Sequence, residues 1–219
     1  MGMTENLLPV SQWIITAILF FFITFRAVLS VNWAQLRKNQ ALQHSFFGAA
    51  VVLALLWHMR AGLAPGLSIH IFGITAVVLM LGWGLAVIAG LLALVLVVIT
   101  GREPAIMFAA NGLITVIIPA LVSHRIMLWE RRRGFRNFFA YIFVCGFFGA
   151  ALAVAAAGVT MVVLLWLAGV YPWSELVSEY LRYLPLIMAP EGFVNGTVVT
   201  GLMVFHPERL LTLDVRRYR

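Results

Sequence analysis

Charged residues are scarce in this sequence. Of its 219 residues only 8 are acidic and 15 are basic, and charged residues make up 11% of the chain, whereas soluble domains carry about a quarter. This scarcity excludes an ordinary soluble globular domain. Apolar residues take the place of charge: 63% of the chain is hydrophobic and the mean hydropathy is +1.02. The composition predicts a polytopic membrane protein, and we interpret residues 1–219 as a single integral membrane domain.

The sequence lacks residues that several kinds of chemistry require. Cys145 is the only cysteine, which excludes an intrachain disulfide and a Cys-x-x-Cys redox pair. No glycine-rich phosphate-binding motif occurs, so no ATP is expected to bind to this chain. No nucleophile or acid/base pair stands out, and an enzyme is therefore not predicted. Because the basic residues follow the expected membrane topology, no nucleic-acid partner is needed to explain their excess.

Long apolar runs predict the membrane segments, because crossing a bilayer takes about 20 apolar residues. They cover residues 13–31, 44–59, 106–123, 137–169 and 185–206. The run 69–100 is too long for one upright span and short for two, and a turn near Gly82, Gly84 or Gly90 would divide it. We therefore expect an all-α membrane helix bundle with about seven segments, of which the third and fourth are short.

The basic residues predict the orientation of these segments, because cytoplasmic loops of membrane proteins are enriched in Lys and Arg. If the chain crosses seven times, with its N-terminus outside and its C-terminus cytoplasmic, eleven of the fifteen basic residues fall on the cytoplasmic side. A single crossing through residues 69–100 would divide them between the two faces. We therefore expect a multi-pass protein of the bacterial inner membrane, surrounded by lipid. The eleven residues are Arg37, Lys38, Arg125, Arg131, Arg132, Arg133, Arg136, Arg209, Arg216, Arg217 and Arg219.

Two histidines flank a loop that interrupts an apolar region. His58 ends the predicted second helix and His70 begins the third, so both are expected near the outer face, joined by a loop with Pro65 and Gly66. Imidazole is a good ligand for divalent Zn, Cu, Ni and Co, and the two side chains are candidates for one metal site. The alternative is structural: His58 is then an interfacial residue beside Trp57, and His70 hydrogen-bonds a neighbouring carbonyl group.

A second polar stretch lies in the last predicted helix. Glu191 and Asn195 are four residues apart and share a helix face. A carboxylate at this depth is costly unless it is paired or faces a polar cavity, although it could instead stabilise the N-terminal dipole of its own helix. Gly192 and Gly196 form a Gly-x-x-x-Gly pair that Thr200 continues, and such a row of small residues predicts close packing against another helix.

Three segments, "LLWHMRAGLAPGLSIHIFG", "FAANGLITVIIPALV" and "PEGFVNGTVVTGLMV", follow one another in this order. Together they resemble the membrane substrate-capture subunit of cobalt and nickel energy-coupling-factor transporters, the CbiM and NikM family. The resemblance covers roughly residues 40–206, and "PGLSIHIFG" is its most specific element. It implies a membrane-helix fold, a transition metal as substrate, and partner chains that hydrolyse ATP and couple it to transport.

The resemblance also implies roles for individual residues. His70 corresponds to the metal ligand of the family's Ser-x-His motif, with Ser68 at the serine position. Asn111, which by itself is explained as a helix cap, corresponds to the asparagine of a Gly-Ala-Asn segment. Glu191 and Gly192 correspond to the Glu-Gly pair of the last helix.

Two departures from the family pattern bear on the metal site. Family members begin Met-His, and the amino terminus with that histidine completes the site, whereas this chain begins "MGMTENLLPV" with Gly2 in the second position. The Pro-Thr-Gly-Thr-Gly that follows the ligand histidine is replaced by Ile71, Phe72 and Gly73. His58 is the candidate replacement for the missing histidine.

These observations lead to two expected functions. The first is an energy-coupling-factor-type permease subunit that binds a divalent transition metal ion (Co, Ni, Zn or Cu) at the outer face, for ATP-driven uptake by partner subunits. The alternative is a membrane assembly or scaffold subunit of a larger membrane complex, which keeps the fold without transporting. The absent second-position histidine favours the scaffold, and the two histidines favour transport.

Overall fold

A computed structural model describes residues 2–3, 8–64, 67–135 and 137–214. Over these residues the chain is a bundle of helices with one small antiparallel sheet of strand order β1-β3-β2. The strands are β1 (Gly2–Met3), β2 (Ala61–Ala64) and β3 (Leu67–Ile69). The helices are α1 (Val10–Leu29), α2 (Trp33–Lys38), α3 (Gln40–His58), α4 (Ile74–Leu81), α5 (Trp83–Ile99), α6 (Ala105–Arg133), α7 (Phe138–Leu167), α8 (Trp173–Glu179) and α9 (Leu184–Phe205).

The lengths of the helices confirm an all-α membrane bundle with two short segments. Five helical segments are long and apolar enough to cross a membrane. The next apolar helix, α5, has 17 residues, and α4 has only 8, which at about 1.5 Å per residue is too short to cross a bilayer alone. The sheet was not predicted from the sequence, because its strands are too short to show an alternating pattern. The five long segments are Val10–Leu29, Gln40–His58, Ala105–Arg133, Phe138–Leu167 and Trp173–Phe205.

Gly82 divides the long apolar run 69–100. It is one of the three glycines at which the sequence predicted a turn. Its φ of 82° lies in a region that glycine adopts readily and other residues avoid. Gly84, two residues later, lets α5 pack closely on α1, since a Cβ there would lie 2.8 Å from the carbonyl oxygen of Ala27. The turn therefore separates α4 from α5, and the second glycine fixes where α5 packs.

The predicted end of the apolar run 106–123 is wrong, because α6 continues to Arg133. Its last turns carry the segment "HRIMLWERRR", which lies almost entirely beyond the predicted end of the run. Arginine is a good helix former, and basic residues in a last turn interact favourably with the helix dipole. The helix ends at Gly134, whose φ of 71° is typical of a helix-terminating glycine.

The short helix α4 lies at the centre of the bundle. It contacts α3, α5, α6, α7 and α9, and all of its residues except Met80 are buried. A helix that is apolar on every side is typical of a fully enclosed position. The first turn of α4 is therefore surrounded by protein, and its free backbone N–H groups need protein acceptors.

Candidate functional site

Glu191 and Asn195 of α9 provide acceptors at the start of α4. The Glu191 carboxylate accepts hydrogen bonds from the backbone N–H of Phe72 (2.7 Å) and of Gly73 (2.9 Å). The Asn195 side-chain oxygen accepts one from the N–H of Ala76 (2.8 Å), and its amide donates back to Glu191 Oε1 (2.8 Å). These partners are buried, so the side chains of Glu191 and Asn195 satisfy N–H groups at the start of α4 inside the protein. Glu191 thus caps a different helix from its own.

His70 lies on the loop that these contacts hold. Only 4% of the residue is exposed, and its ring lies between Trp57 and Phe72, with centroid separations of 5.6 and 5.3 Å. Nδ1 is 3.3 Å from the carbonyl oxygen of Ile71, while the buried Nε2 has no hydrogen-bond partner. Burial lowers the pKa of His70 well below its usual range, and the positive charge of Arg60 adds to this effect. The ring is therefore neutral at physiological pH, the form in which imidazole binds metals.

Ser68 lies in the small sheet, and Asn111 holds the N-terminal strand of that sheet in place. Ser68 pairs with Gly2 across β3 and β1, and its buried hydroxyl oxygen has no partner. The Asn111 side chain accepts a hydrogen bond from the N–H of Met3 (2.8 Å) and donates to the Met3 carbonyl (3.0 Å) and to Glu103 Oε2 (2.8 Å). Asn111 therefore anchors the N-terminal strand beside the loop that carries His70.

Arg60 forms a partly buried ion pair with Glu103, with 3.3 Å between Nη1 and Oε1. Arg60 also donates through Nε to the carbonyl of Trp57 (3.1 Å) and through Nη1 to that of Arg102 (3.2 Å), whereas its buried Nη2 has no partner. Burial raises the pKa of Glu103 above its usual range, and the nearby Arg60 charge opposes that shift. The pair joins the loop after α3 to the loop after α5.

An open surface pocket of about 480 Å³ adjoins this loop. Three polar residues from separate parts of the chain line it: Arg60, His70 and Glu191. The rest of the lining is apolar and comes from residues 59, 69, 71, 186, 187 and 190. An apolar cavity with a few convergent polar groups is the usual form of a small-ligand site.

Comparison with known proteins assigns the family. The sequence model described as "Cobalt uptake substrate-specific transmembrane region", CbiM, matches residues 3–209. The chain belongs to the CbiM family. No curated protein matches the sequence significantly.

Solved structures share the fold of this CbiM family member. A crystal structure described as a truncated transition metal transporter superposes with a TM-score of 0.80 at 16% sequence identity, covering 94% of this chain and 100% of that one. A second, described as a transition metal transporter, has the same score and identity and covers 97% of this chain and 96% of the other. At this identity the likeness establishes the fold.

Gly2 occupies the sequence position where the resemblance to the CbiM family implies a histidine. Its strand pairing with Ser68 places it at the site, and a Cβ built on Gly2 would lie 2.9 Å from Glu103 Oε1 and 3.8 Å from Asn111 Oδ1. Any side chain at position 2 would therefore have to displace the Glu103 carboxylate, which fills the space next to Gly2.

His58 makes contacts that differ from those of His70. Its Nδ1 lies 2.6 Å from the carbonyl oxygen of Ala54, and its Nε2 lies 2.9 Å from Thr100 Oγ1. Both ring nitrogens are thus engaged: Nδ1 bonds within α3, and Nε2 joins α3 to the end of α5. Within the described ranges, no group of three or more His, Cys, Asp or Glu side chains is arranged to hold a metal ion. A metal bound at His70 would need further ligands of other kinds.

The small residues of α9 lie against α7. A Cβ on Gly192 would come within 2.9 Å of the Phe147 carbonyl oxygen, and one on Gly196 within 2.2 Å of the Phe147 ring. Thr200 donates from its hydroxyl to the Gly196 carbonyl (2.7 Å). These contacts fix the rotation of α9, so that Glu191 and Asn195 point towards α4.

Sequence reasoning missed the pairing of Arg60 with Glu103. The sequence pattern assigned no role to Arg60 or to Glu103. One signal was present, because Arg60 stands between the two histidines in an otherwise apolar stretch. The partner could not be read from local sequence, since the two residues are 43 positions apart.

Proposed function

We propose that this chain is the membrane substrate-binding subunit of an energy-coupling-factor-type transporter and that it binds a divalent transition metal ion through His70. The observation that carries the proposal is the buried Nε2 of His70, which has no hydrogen-bond partner and carries a lone pair when Nδ1 donates to the Ile71 carbonyl. The CbiM family match over residues 3–209 supports a metal as the substrate. So do the transition metal transporters that share the fold.

In this proposal each polar residue of the site has a defined role. His70 is the metal ligand, while Glu191 and Asn195 hold its loop, and Asn111 holds the N-terminal strand against Ser68. His58 joins α3 to α5, and it would have to leave Ala54 and Thr100 to act as a ligand. The remaining metal ligands would come from backbone groups, from water or from a molecule bound together with the metal.

The expected mechanism is capture on the outer face of a bacterial inner membrane, followed by release when partner subunits hydrolyse ATP. The chain itself supplies the binding site, and an ATPase with a transmembrane coupling subunit would supply the energy. The scaffold alternative remains a candidate because one observation favours it: within the described ranges, His70 has no companion His, Cys, Asp or Glu side chains arranged as a metal site.

Purification distinguishes the two functions. The protein is expressed in its native host, solubilised in mild detergent and isolated through a C-terminal tag, and then its metal content and its co-purifying chains are measured. Transport predicts close to one bound transition metal ion per chain and recovery of an ATPase subunit. A metal-free protein that recovers other membrane subunits and no ATPase would support the scaffold and contradict transport.

The proposed orientation can be tested by cysteine labelling from outside the cell. Cysteines at Gly62 and Ser174, which are both exposed, should react with a membrane-impermeant maleimide, and a cysteine at Arg133 should react only after the membrane is opened. Arg133 is preferable to the adjacent Gly134, whose φ of 71° disfavours a side chain. The native Cys145 is buried and serves as the unlabelled background. Labelling of Arg133→Cys in intact cells would overturn the orientation.

A further inference from the structure

A groove of about 270 Å³ lies between α3 and α9 on the outside of the bundle. These two helices form its walls, and its floor is formed by Gly73, Ala76, Val77 and Met80. Val52 of α3 and Val198 of α9 line the groove and are exposed. Because both helices belong to segments that are long and apolar enough to cross a membrane, this α3–α9 groove opens towards the lipid.

The α3–α9 groove carries basic side chains at one end. Trp57 of α3 donates to the Phe72 carbonyl, and Glu191 of α9 accepts from the Phe72 N–H, so the end of α3 and the start of α9 meet at the loop before α4. The start of α3 and the end of α9 therefore lie together at the opposite end of the groove. His44 and Arg209 line the groove at that opposite end, and both are exposed.

The rest of the lining is apolar over a large part of the thickness of a membrane. Along α3 the lining extends from His44 to Leu56, which at about 1.5 Å per residue is roughly 18 Å, more than half of a hydrocarbon core of about 30 Å. Beyond the polar end, the described lining residues are apolar or glycine except for Asn195, whose side chain is already bonded to Ala76 and Glu191. A long apolar groove with basic groups at one end is complementary to an amphiphile with an anionic headgroup.

The charge of Arg209 is available to such a headgroup. Within the part of the chain that the structure describes, its guanidinium group makes no hydrogen bond or ion pair. The carboxylate of the adjacent Glu208 lies 3.2 Å from His206 Nδ1. A guanidinium group matches phosphate oxygens in geometry as well as in charge, and the imidazole of His44 adds a hydrogen-bond donor at the same end.

The width of the groove favours a hydrocarbon chain over a helix. The volume of about 270 Å³ over this length gives a mean cross-section of about 15 Å², whereas an α-helix with its side chains is about 10–12 Å across and occupies roughly 80 Å² or more. A larger apolar pocket of about 430 Å³ lies between α7 and α9, and the described residues that line it include no basic residue. An anionic lipid therefore matches the α3–α9 groove better than that pocket.

We propose that the α3–α9 groove is a binding site for an anionic phospholipid, with one acyl chain between the two helices and the phosphate group on Arg209 and His44. This site is separate from the metal site, and the proposal does not depend on metal transport. A bound chain adds apolar contacts to Ala76 and Val77, which belong to the helix that follows the loop of His70. Because a ligand that binds only the folded state stabilises it, the lipid is expected to stabilise the fold around that loop.

Lipid titration of the delipidated full chain in a neutral detergent tests the proposal, with bound lipids counted by native mass spectrometry. Dioleoyl phosphatidylglycerol and dioleoyl phosphatidylcholine have the same chains and a phosphate group, but only the first has a net negative charge. We expect the first bound lipid to be phosphatidylglycerol by a preference of about fivefold, the attraction that one basic side chain has for an anionic membrane surface. Phosphatidylglycerol should also raise the melting temperature.

Two pairs of variants locate the bound lipid. Arg209→Gln should reduce the preference for phosphatidylglycerol to about one, while Arg37→Gln, at an exposed arginine of α2 outside the groove, should keep it. Gly48 lines the groove and a Cβ there would meet no atom within 4 Å, so Gly48→Trp should fold, fill the groove and weaken the binding of both lipids. Gly201→Trp, at a glycine of α9 with equally open space outside the groove lining, should bind lipid as the parent does.

Three results would overturn the proposal. The first is equal affinity of the parent for the two lipids. The second is an equal loss of preference in Arg37→Gln and Arg209→Gln, because the preference would then come from the overall surface charge. The third is unchanged lipid binding by folded Gly48→Trp, because the lipid would then lie outside the groove.

Photocrosslinking in native membranes identifies the occupant of the groove directly. A p-benzoylphenylalanine in place of Val52, which is exposed in the groove, should form crosslinks to phospholipid after illumination. Crosslinks to another protein chain or to a second copy of this chain, in place of lipid, would show that a protein covers the groove and would contradict the lipid site.

Discussion

Replacing His70 with alanine is expected to abolish tight metal binding. The substitution removes the buried Nε2, the ring nitrogen that has no hydrogen-bond partner in the protein. Loss of supporting residues around metal sites already costs 10- to 100-fold in affinity, so loss of the ligand itself should cost about 100-fold or more. The measurement is titration of the purified parent and variant with Co²⁺ or Ni²⁺ by calorimetry.

Two histidine variants serve as controls for that result. His44→Ala changes an exposed residue of α3 at the opposite end of the helix from His58 and should bind metal as the parent does. His58→Ala removes the contacts to Ala54 and Thr100 and should lower the melting temperature more than the metal affinity. A folded His70→Ala variant that binds metal with the affinity of the parent would contradict the assignment of His70 as a metal ligand. Equal losses in His58→Ala and His70→Ala would restore the shared site that the sequence suggested.

Glu191→Leu is expected to have the largest effect on stability. The substitution leaves the buried N–H groups of Phe72 and Gly73 without acceptors, and each unsatisfied group costs about 1–3 kcal/mol. Because most proteins are stable by only about 5–15 kcal/mol, we expect the variant to aggregate or to melt far below the parent in detergent.

The conservative variant Glu191→Gln separates hydrogen bonding from charge. It keeps one acceptor oxygen, so it should fold with a smaller loss of melting temperature than Glu191→Leu. Glu179→Leu, a matched change at an exposed glutamate of α8, should leave the melting temperature close to that of the parent. If Glu191→Leu were as stable as Glu179→Leu, the hydrogen bonds to the loop would contribute nothing to the fold.

Much of the bundle follows from local sequence. The long apolar runs located the helices to within a few residues at most ends, and the glycine at position 82 was among the predicted turns. Apolar length and glycine conformations are properties of short stretches, so a single sequence displays them. The main error was at the end of α6, where charged residues near the membrane surface were mistaken for the end of the helix.

The roles of the polar residues could be predicted only in part. Glu191 and Asn195 stood out because ionisable and amide groups are rare in apolar helices. Their partners were hidden, since Glu191 binds backbone groups of residues 118 and 119 positions away, and backbone groups leave no mark in a sequence. The ion pair of Arg60 with Glu103 and the pairing of Gly2 with Ser68 are likewise products of tertiary structure.

The way α4 is held has a consequence for how the protein is made. Residues 72–76 leave the ribosome long before residues 191–195, yet the first turn of α4 depends on acceptors from that last helix. An 8-residue helix is too short to be inserted into a bilayer by itself. The loop that carries His70 therefore cannot reach its final structure until α9 enters the membrane. The hydrogen bonds between this loop and α9 should form among the last steps of folding. Contacts between residues this distant in sequence slow folding. A chain halted before α9 would contain its other helices, but the loop of His70 would lack the contacts that form the site.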